Sequence, residues 1–410
     1  MNKKIALMTM AGVLAAGPAF GSGYRIPEQS LNSMALSSAY VAHTDGADTS
    51  FYNPANMAWL DNGWHSEATL TYIDLSRISY TDNRGAAYNG DSKAEQFLLP
   101  QVHLVSPAYN KFRFGLSVDY PYGLSKEWEQ AFPKTFAKEF TLKVYEINPT
   151  VSYKISDKIS VGFGARILHS TGKVKSDGVV QPPATTAARD MDGDTTEYGY
   201  NLAVSLRPTE NLSLAATYRS KVNLELDGDA KLSLNGTELY NGYAEVMAPA
   251  PAVLTLGASY TINQTTVELV YDKTYWSAYD KLDFNYSVSL STINPSLAAL
   301  FDNPIQKNWT NTDAYRIGVT HVLNNQWTLM AGFAIDKNPV PDSTLGFELP
   351  GSDAMLYSLG ARYRYNNNLQ IGCSYLYDHK ESRDVTNSKI DGKFEGENAH
   401  LVSLGLQYTF

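Results

Sequence analysis

The chain has 410 residues, and its 42 acidic residues outnumber 33 basic ones, which gives a net charge of −9. This balance argues against a nucleic-acid partner, because phosphate contacts need concentrated Lys and Arg. A hydrophobic content of 43% is typical of a soluble protein, but it also fits a transmembrane β-barrel, whose lipid-facing and lumen-facing residues alternate. The 28 Tyr favour the barrel, because tyrosine suits the aromatic girdles at membrane interfaces.

Residues 1–21 have the pattern of a secretory signal peptide. Lys3 and Lys4 form the charged region, an apolar run follows, and small residues precede the cleavage site, so the mature chain should begin at Ser22. After this segment no apolar run approaches the roughly 20 residues that a spanning helix requires. A membrane protein built from this chain must therefore be a closed barrel.

Residues 22–62 differ from the strand-like sequence that follows and are predicted to form short helices. Asn53 is a favoured N-cap, and Pro54 is preset for the first helical position, so a second helix should run from Ala55 to Leu60. Taken alone, this stretch fits a helical lid on a soluble domain equally well. A first helix, from about residue 27 to residue 40, is indicated by helical spacing of Leu31, Met34, Ala35 and Ser38.

From Trp64 onward the sequence alternates apolar and polar residues. In residues 112–120, Phe, Phe, Leu, Val and Tyr alternate with Arg, Gly, Ser and Asp, and the same phase recurs at 159–167, 327–335 and 357–364. A soluble sandwich would seldom bury Arg and Asp on its inner side. In a membrane barrel the apolar face meets lipid and the polar face meets a wet or plugged lumen.

The connections between these alternating segments predict the strand count. Six are short and polar, and they lie at residues 108–110, 156–157, 208–210, 263–264, 324–325 and 366–368. Seven are longer, near residues 81–91, 121–138, 176–195, 231–244, 290–311, 339–352 and 386–396. Long and short connections alternate, which predicts fourteen antiparallel strands with short periplasmic turns and long outer loops.

The C-terminal residues and the single cysteine agree with a barrel. The last strand alternates to the terminus and ends in Phe410, whereas a soluble chain more often ends in a frayed polar tail. Such an ending resembles the strand by which outer-membrane barrels are recognised for assembly. Cys373 cannot form an internal disulfide and lies on the apolar phase of a strand, so we expect a lipid-facing thiol.

The mature chain resembles the FadL family of outer-membrane transporters from end to end. The resemblance depends on the order and spacing of short motifs, namely SGY at residues 22–24, NPA at 53–55, VSP at 105–107, YGL at 122–124, YRS at 218–220, AYRI at 314–317 and PVP at 339–341. It implies that residues 22–62 are a hatch that plugs the lumen, and that residues 63–410 form the barrel.

The resemblance implies uptake of hydrophobic compounds, with long-chain fatty acids as the main ligand class and uncharged hydrocarbons as the alternative. It further implies that ligand is captured between outer loops, passed to an apolar pocket in the barrel, and released sideways through a break in the wall. The hatch residues Tyr24, Asn53, Pro54 and Ala55 are expected to act as a gate. The expected surroundings are outer-membrane lipid and lipopolysaccharide in a Gram-negative bacterium, with barrel assembly machinery contacting Phe410 and a monomer as the working unit.

The third strand contains the candidate break. It runs through Tyr120, Pro121, Tyr122 and Gly123, and the proline cannot donate a ladder hydrogen bond, so strand pairing should fail there. The proline could equally mark the end of the strand at its loop. The inward strand kink of the resembled family maps to this segment.

Two further groups are candidates for ligand binding. Lys173, Lys175 and Lys281 lie in stretches where the resemblance places basic groups for a carboxylate, although Asp283 occupies one matching position and solvated rim charges explain them as well. An apolar platform in the second long loop is indicated by helical spacing of Leu124, Trp128 and Phe132, which self-packing also explains.

Other chemistry is weakly indicated. The seven His show no zinc-ligand spacing, no G-x-S-x-G motif is present, and we expect no cofactor, no metal and no enzymatic activity. The acidic residues 190–194 leave a weak Ca²⁺ site open beside a solvated loop. A general porin is a further alternative, which an open lumen with large steady conductance would favour.

Overall fold

The computed structural model describes residues 23–180 and 184–410. The predicted signal peptide, residues 1–21, and the expected first mature residue, Ser22, lie outside the described residues. Within them the chain forms a closed antiparallel barrel of fourteen strands, which confirms the predicted fold class; the sheet has more segments than strands because three strands are interrupted. No helix among these residues is long and apolar enough to cross a membrane.

The barrel strands follow one another around the wall in chain order. Their bounds are β1 His65–Leu75, β2 Glu95–Val105, β3 Phe112–Glu127, β4 Glu139–Lys154, β5 Ile159–Val180, β6 Thr185–Leu206, β7 Leu212–Arg219 and Val222–Leu234, β8 Thr237–Ala250 and Val253–Ile262, β9 Thr265–Thr274 and Phe284–Tyr286, β10 Thr312–Val322, β11 Trp327–Asp336, β12 Ala354–Arg364, β13 Leu369–Lys380 and β14 Asn398–Thr409. Strand β1 also pairs with β14, which closes the barrel.

Short elements lie inside the barrel and at its long-loop end. The helices are α1 Leu31–Ala35, α2 Thr49–Tyr52, α3 Ala131–Ala137, α4 Leu290–Ile293 and α5 Pro295–Phe301. Short 3-10 helices span Pro54–Trp59, Ala86–Tyr88, Trp276–Ala278 and Asp342–Thr344. A small sheet combines Ser79–Asp82, Gly90–Asp91, Arg383–Thr386 and Asp391–Glu395, and Lys281–Leu282 pairs with Ile305–Gln306.

All six predicted short turns lie between consecutive strands, but two predicted long loops are wrong, and a third, at residues 121–138, begins too early because β3 continues to Glu127. Residues 176–195 belong mostly to the long hairpin of β5 and β6, which pair from Ile159 opposite Leu206 to Val180 opposite Thr185. Residues 231–244 belong to the hairpin of β7 and β8, which turns at Asn235 and Gly236. Both turn residues have positive φ, 49° and 77°, as a tight two-residue hairpin requires.

The outer wall carries the apolar phase of the strands. Phe114 is 54% exposed and Leu404 is 61% exposed, as expected of side chains that contact lipid rather than a protein core. Cys373 is also exposed on this surface. The alternation therefore places the hydrophobic residues outside, as the sequence predicts.

Residues 23–62 lie inside the barrel, where most of them are buried. Helix α1 is shorter than the predicted helix of residues 27–40. It begins at the N-cap Ser30, whose hydroxyl accepts a hydrogen bond from the Ser33 N–H, and ends before Ser37 and Ser38, whose φ angles are positive. The early end lets the backbone at Leu36 and Ser37 lie against Gly332 on β11, where a side chain would collide with it.

The lumen has two chemically different halves. Toward the short turns, polar wall residues hold residues 23–62, as where Arg362 donates to Asn32 and pairs with Glu67 at 2.8 Å. Toward the long loops, the inner wall is apolar and joins a continuous cluster that includes Tyr24, Leu142, Leu226, Phe284 and Phe347. This apolar half contains the cavities described below.

Candidate functional site

Residues 23–62, which we call the inner segment, are anchored to the wall at the corner formed by Asn53–Ala55. The Asn53 side chain accepts a hydrogen bond from the Ala55 N–H at 3.1 Å and donates to Val41 O and Ser205 Oγ. Pro54 occupies the first position of the 3-10 helix, as predicted. The Ser160 hydroxyl donates to Ala55 O at 2.8 Å, so these three residues act as a structural corner in contact with β5 and β6.

Strand β3 bulges at the predicted break. Relative to β4, Asp119 lies opposite Glu146 and Tyr122 opposite Val144, so Tyr120 and Pro121 together face one residue. On its other side β3 pairs with β2 only from Val102 opposite Val118 to Val105 opposite Gly115. The ladder therefore stops where β3 bends inward. We call the resulting gap, between residues 96–101 of β2 and 119–124 of β3, the wall window.

Prolines lie on both edges of the wall window. At the end of β2 the Ser106 N–H points toward β3 and donates to Phe114 O. Backbone N–H groups of alternate residues point to the same side of a strand, and Pro100 is six residues before Ser106. The backbone nitrogen of Pro100 therefore also points toward β3, into the window. A proline has no N–H to offer there, as with Pro121 on the opposite edge. At the long-loop end the window is closed by a hydrogen bond from the Lys93 N–H to Glu127 O at 2.9 Å.

The start of the described chain occupies the position that β2 leaves empty beside β3. Arg25 forms a bridge opposite Tyr122; the Ile26 N–H donates to Pro121 O and the Gly123 N–H to Tyr24 O, both at 2.9 Å. The Gln29 side chain accepts from the Tyr120 N–H at 2.7 Å and donates to its carbonyl at 3.0 Å. Tyr120, Pro121 and Gly123 are therefore hydrogen-bonded to the inner segment, while the Tyr122 hydroxyl donates to Pro251 O at 3.1 Å.

An inner cavity lies above this segment, with about 850 Å³ of empty space including its open side. Its lining is mainly apolar and comes from seven strands, β3 to β9, and the long loops, including Leu124, Leu142, Leu226, Ala244, Val246 and Trp309. Gly172 on β5 also faces the cavity, where even a Cβ atom would lie 2.9 Å from Leu226. The missing side chain therefore widens the cavity at this point.

Tyr24 forms the floor of the inner cavity. Its ring packs edge-on against Trp276 at 4.6 Å and Tyr279 at 6.0 Å, and also against Trp309 at 5.6 Å. Its hydroxyl donates to Pro249 O on β8 at 2.5 Å. The residue thus connects the inner segment, an aromatic cluster and the wall at the base of the inner cavity.

An outer cavity, with about 1610 Å³ of empty space including its open side, lies between the long loops and shares wall residues with the inner cavity. Its lining includes Phe136, Phe284, Phe301 and Phe347 beside the cationic side chains of Arg189, Lys307 and Lys389. Arg189 stacks over the rings of Phe284 and Phe301, and its Nε has no hydrogen-bond partner among the described residues. The outer cavity therefore combines apolar surface with positive charge.

Lys307 and Glu348 form a buried ion pair that lines both cavities. Burial acts to lower the pKa of Lys307, but Glu348 and Tyr279 overcome this and raise it. Burial likewise acts to raise the pKa of Glu348, yet Lys307 holds it below the ordinary value of 4.5. Both groups are therefore charged at neutral pH. Sequence periodicity gave no signal for either residue, because both lie in loops.

The three lysines predicted to bind ligand do not line either cavity. Lys173 is exposed, and Lys175 pairs with Glu139 and Asp190 at 3.4 Å on the barrel rim. Lys281 pairs with Asp283 at 2.7 Å and is exposed. Their positions match solvated rim charges. The cations that line the cavities among the described residues are Arg189, Lys307 and Lys389.

Leu124, Trp128 and Phe132 do not share a helix, contrary to their spacing. Leu124 belongs to β3, Trp128 follows that strand, and Phe132 belongs to α3. They nevertheless join one apolar cluster: Leu124 lines the inner cavity, and the Trp128 indole donates to the Phe347 carbonyl at 2.8 Å.

The acidic residues 190–194 are not in a loop, because they belong to β6. Across the described part of the chain, no group of three or more His, Cys, Asp or Glu side chains is arranged to hold a metal ion. The structure thus gives no support to the Ca²⁺ site.

Comparisons with known proteins agree with this architecture. A family model described as outer membrane protein transport protein (OMPP1/FadL/TodX) matches residues 12–410. The long-chain fatty acid transport protein of Escherichia coli (strain K12) is 24% identical over 447 residues, covering 98% of both chains. The crystal structure of a Pseudomonas aeruginosa FadL homologue has a TM-score of 0.83 and 21% identity, and covers 95% of this chain and 100% of that chain. The Pseudomonas putida toluene transporter TodX has a TM-score of 0.71 and 18% identity, with 97% and 99% covered.

Proposed function

Because the chain belongs to the OMPP1/FadL/TodX family of outer membrane transport proteins, we propose that it takes up hydrophobic compounds, chiefly long-chain fatty acids. It is a multi-pass β-barrel of the Gram-negative outer membrane. Ligand enters the outer cavity, moves into the inner cavity and leaves through the wall window into the bilayer. The observation that carries this proposal is the apolar inner cavity, closed below by Tyr24 and adjoining a strand whose pairing fails.

The physical reason for such a device is the hydrophobic effect. A long acyl chain gains about 0.8 kcal/mol for each methylene it buries, so an apolar cavity competes well with water. A water-filled pore would not offer this gain. Lateral exit also keeps the chain out of water, since lipid tails provide the same environment as the cavity.

The charges of the outer cavity favour a carboxylate ligand. Arg189, Lys307 and Lys389 face a space in which Glu348 is the one carboxylate among the lining residues that the structure describes. An anionic head group can lie near these cations while its tail contacts the phenylalanines, and charge-assisted hydrogen bonds are stronger than neutral ones.

Uncharged hydrocarbons are the second candidate. Lys307 is already neutralised by Glu348, and the cavity floor is an aromatic cluster that could contact a ring without any charge. One solved relative of the same fold, from Pseudomonas putida, is a toluene transporter. A direct comparison of charged and neutral ligands decides between the two classes.

We propose that residues 22–62 act as a hatch and residues 63–410 as the barrel that encloses it. The backbone bonds from Tyr24 and Ile26 to β3 support this division, because they place the hatch directly behind the wall window. Movement of Tyr24 would both open the cavity floor and free the edge of β3. A general porin needs an open lumen, and here residues 23–62 fill it, so large steady conductance would argue against the hatch.

The aromatic C-terminus belongs to the barrel seam. The Phe410 N–H donates to Trp64 O at 3.0 Å and the Trp64 N–H donates to Phe410 O at 2.8 Å. We infer that assembly machinery binds this strand before the seam closes. The barrel is proposed to work as a monomer within lipid and lipopolysaccharide, as a transporter without catalysis.

Binding of a brominated fatty acid tests the proposal. Dibromostearate should quench tryptophan fluorescence saturably in the mature protein in lipid nanodiscs, because Trp309 lines the inner cavity. Ala244→Phe fills this cavity and should weaken binding, whereas Ala331→Phe on the exposed face of β11 should not. Absence of saturable quenching in the unmodified protein, or equal binding by both variants, would contradict it.

A further inference from the structure

The Lys307–Glu348 pair lies at the passage between the two cavities. Each residue lines both of them, and their side chains are only 5% and 18% exposed. Lys307 follows the short strand Ile305–Gln306, while Glu348 lies in the loop between β11 and β12. A ligand that moves from the outer to the inner cavity therefore passes this pair.

The surrounding backbone holds the pair in position. The Lys307 N–H donates to Asp280 O at 2.7 Å, and the Thr344 hydroxyl donates to Lys307 O at 2.5 Å, which ties the two loops together. The Glu348 carboxylate folds back over Gly346, where any Cβ would collide with it. The sequence of this loop thus permits the glutamate to reach inward to the lysine.

Two further cations line the outer cavity together with Glu348. Arg189 and Lys389 line the same outer cavity, and each interacts electrostatically with Glu348. The Arg189 Nε has no hydrogen-bond partner among the described residues. The glutamate could therefore leave Lys307 and still find a positive partner.

We propose that Glu348 is a built-in competitor for the ligand head group, so that only a molecule whose own carboxylate replaces it on Lys307 passes readily into the inner cavity. The proposal rests on the proposed function and specifies its ligand class. When the ligand carboxylate replaces Glu348, Lys307 keeps an anionic partner throughout. A neutral hydrocarbon offers no anion to Lys307, and separating the buried Lys307–Glu348 pair without a replacement is strongly unfavourable.

The test compares dibromostearate with its methyl ester, using tryptophan quenching of the mature protein in nanodiscs. In Glu348→Gln the lysine has no internal anion, so affinity for the acid should rise about tenfold, while affinity for the ester changes little. In Lys307→Gln the preference for acid over ester should disappear, because Glu348 then repels the carboxylate. Glu395→Gln, which removes an exposed partner of Lys393, is the matched control and should behave like the unmodified protein.

Three results would overturn the proposal. The first is no gain in acid affinity for Glu348→Gln, and the second is an equal gain for acid and ester, which would show that the glutamate only fills space. The third is a retained acid preference in Lys307→Gln. Failure of the proposed function has a different signature, since the unmodified protein would then bind neither probe. Unheated gel migration and circular dichroism establish that each variant is folded.

Discussion

Replacing Glu268 with alanine should loosen the segment that fills the barrel. This β9 side chain is 4% exposed, and its carboxylate accepts backbone hydrogen bonds from the N–H groups of Val41 and Ala42 at 2.6 Å and of His43 at 3.1 Å. Three consecutive N–H donors that converge on one carboxylate have no second acceptor of comparable strength. In the alanine variant all three N–H groups lose their carboxylate acceptor.

The size of the effect follows from these three bonds. An unsatisfied buried donor costs about 1–3 kcal/mol, so the alanine variant should lose roughly 3 kcal/mol even if water partly replaces the carboxylate. Glu268→Gln keeps an oxygen for two of the donors and presents an NH₂ group to the third, so we expect a loss of about 1–2 kcal/mol. The order of destabilisation should be alanine, then glutamine, then the unmodified protein.

Hydrogen exchange measures this directly. A loss of about 3 kcal/mol speeds exchange at residues 41–43 roughly a hundredfold if they open locally. Single-channel recording should show leak in the alanine variant, and Glu225→Ala, an exposed change on β7, serves as the control. Equal protection in the alanine variant and the control would refute the argument that this carboxylate anchors the segment.

Three other changes test the remaining parts of the site. Pro121→Ala restores a backbone N–H at the bulge and should slow ligand release into liposomes; an unchanged release rate would show that the wall window does not need this proline. Gly172→Val should weaken oleate binding roughly tenfold, about 1.4 kcal/mol, by pressing on Leu226 while sparing octanoate, and calorimetry would reveal a uniform loss if the cavity is not the site. Because Lys307 holds the pKa of Glu348 below 4.5, the pair stabilises the loop above that pH and this contribution is lost as the pH falls through the lowered pKa. Acid should therefore speed hydrogen exchange in that loop, and Glu348→Gln should abolish this dependence.

The strand count and the turns could be predicted because their signals are local. Alternation of apolar and polar residues identifies each strand within lipid, and the cap formed by Asn53 depends on its immediate neighbours alone. Alternation does not identify residues 185–196 as part of β6. There the strand carries Asp on its outer face, so the apolar phase that marks a lipid-facing strand is missing, although pairing with β5 continues. The Asn235–Gly236 dipeptide was a hairpin signal that the count of loops overlooked.

The charged residues of the cavities could not be predicted in this way. Lys307 and Glu348 are 41 residues apart and meet only because two loops fold over the same barrel end. The prediction of Lys173, Lys175 and Lys281 depends on their position along the chain, which does not determine which side of the wall a side chain faces. Tyr24 was identified by its place in the resembled hatch, and its contact with Pro249 depends on the closed barrel.

The pairing of β1 with β14 has a consequence for biogenesis. Strands β1 and β14 pair along their length, and residues 23–62 directly precede β1 in the chain. Strand β14 follows all the other barrel strands along the chain, so the seam can close only when the thirteen strands before it are available. Residues 23–62 must already be nested within the curved sheet by then, or be threaded through a finished ring, and nesting first is the simpler route.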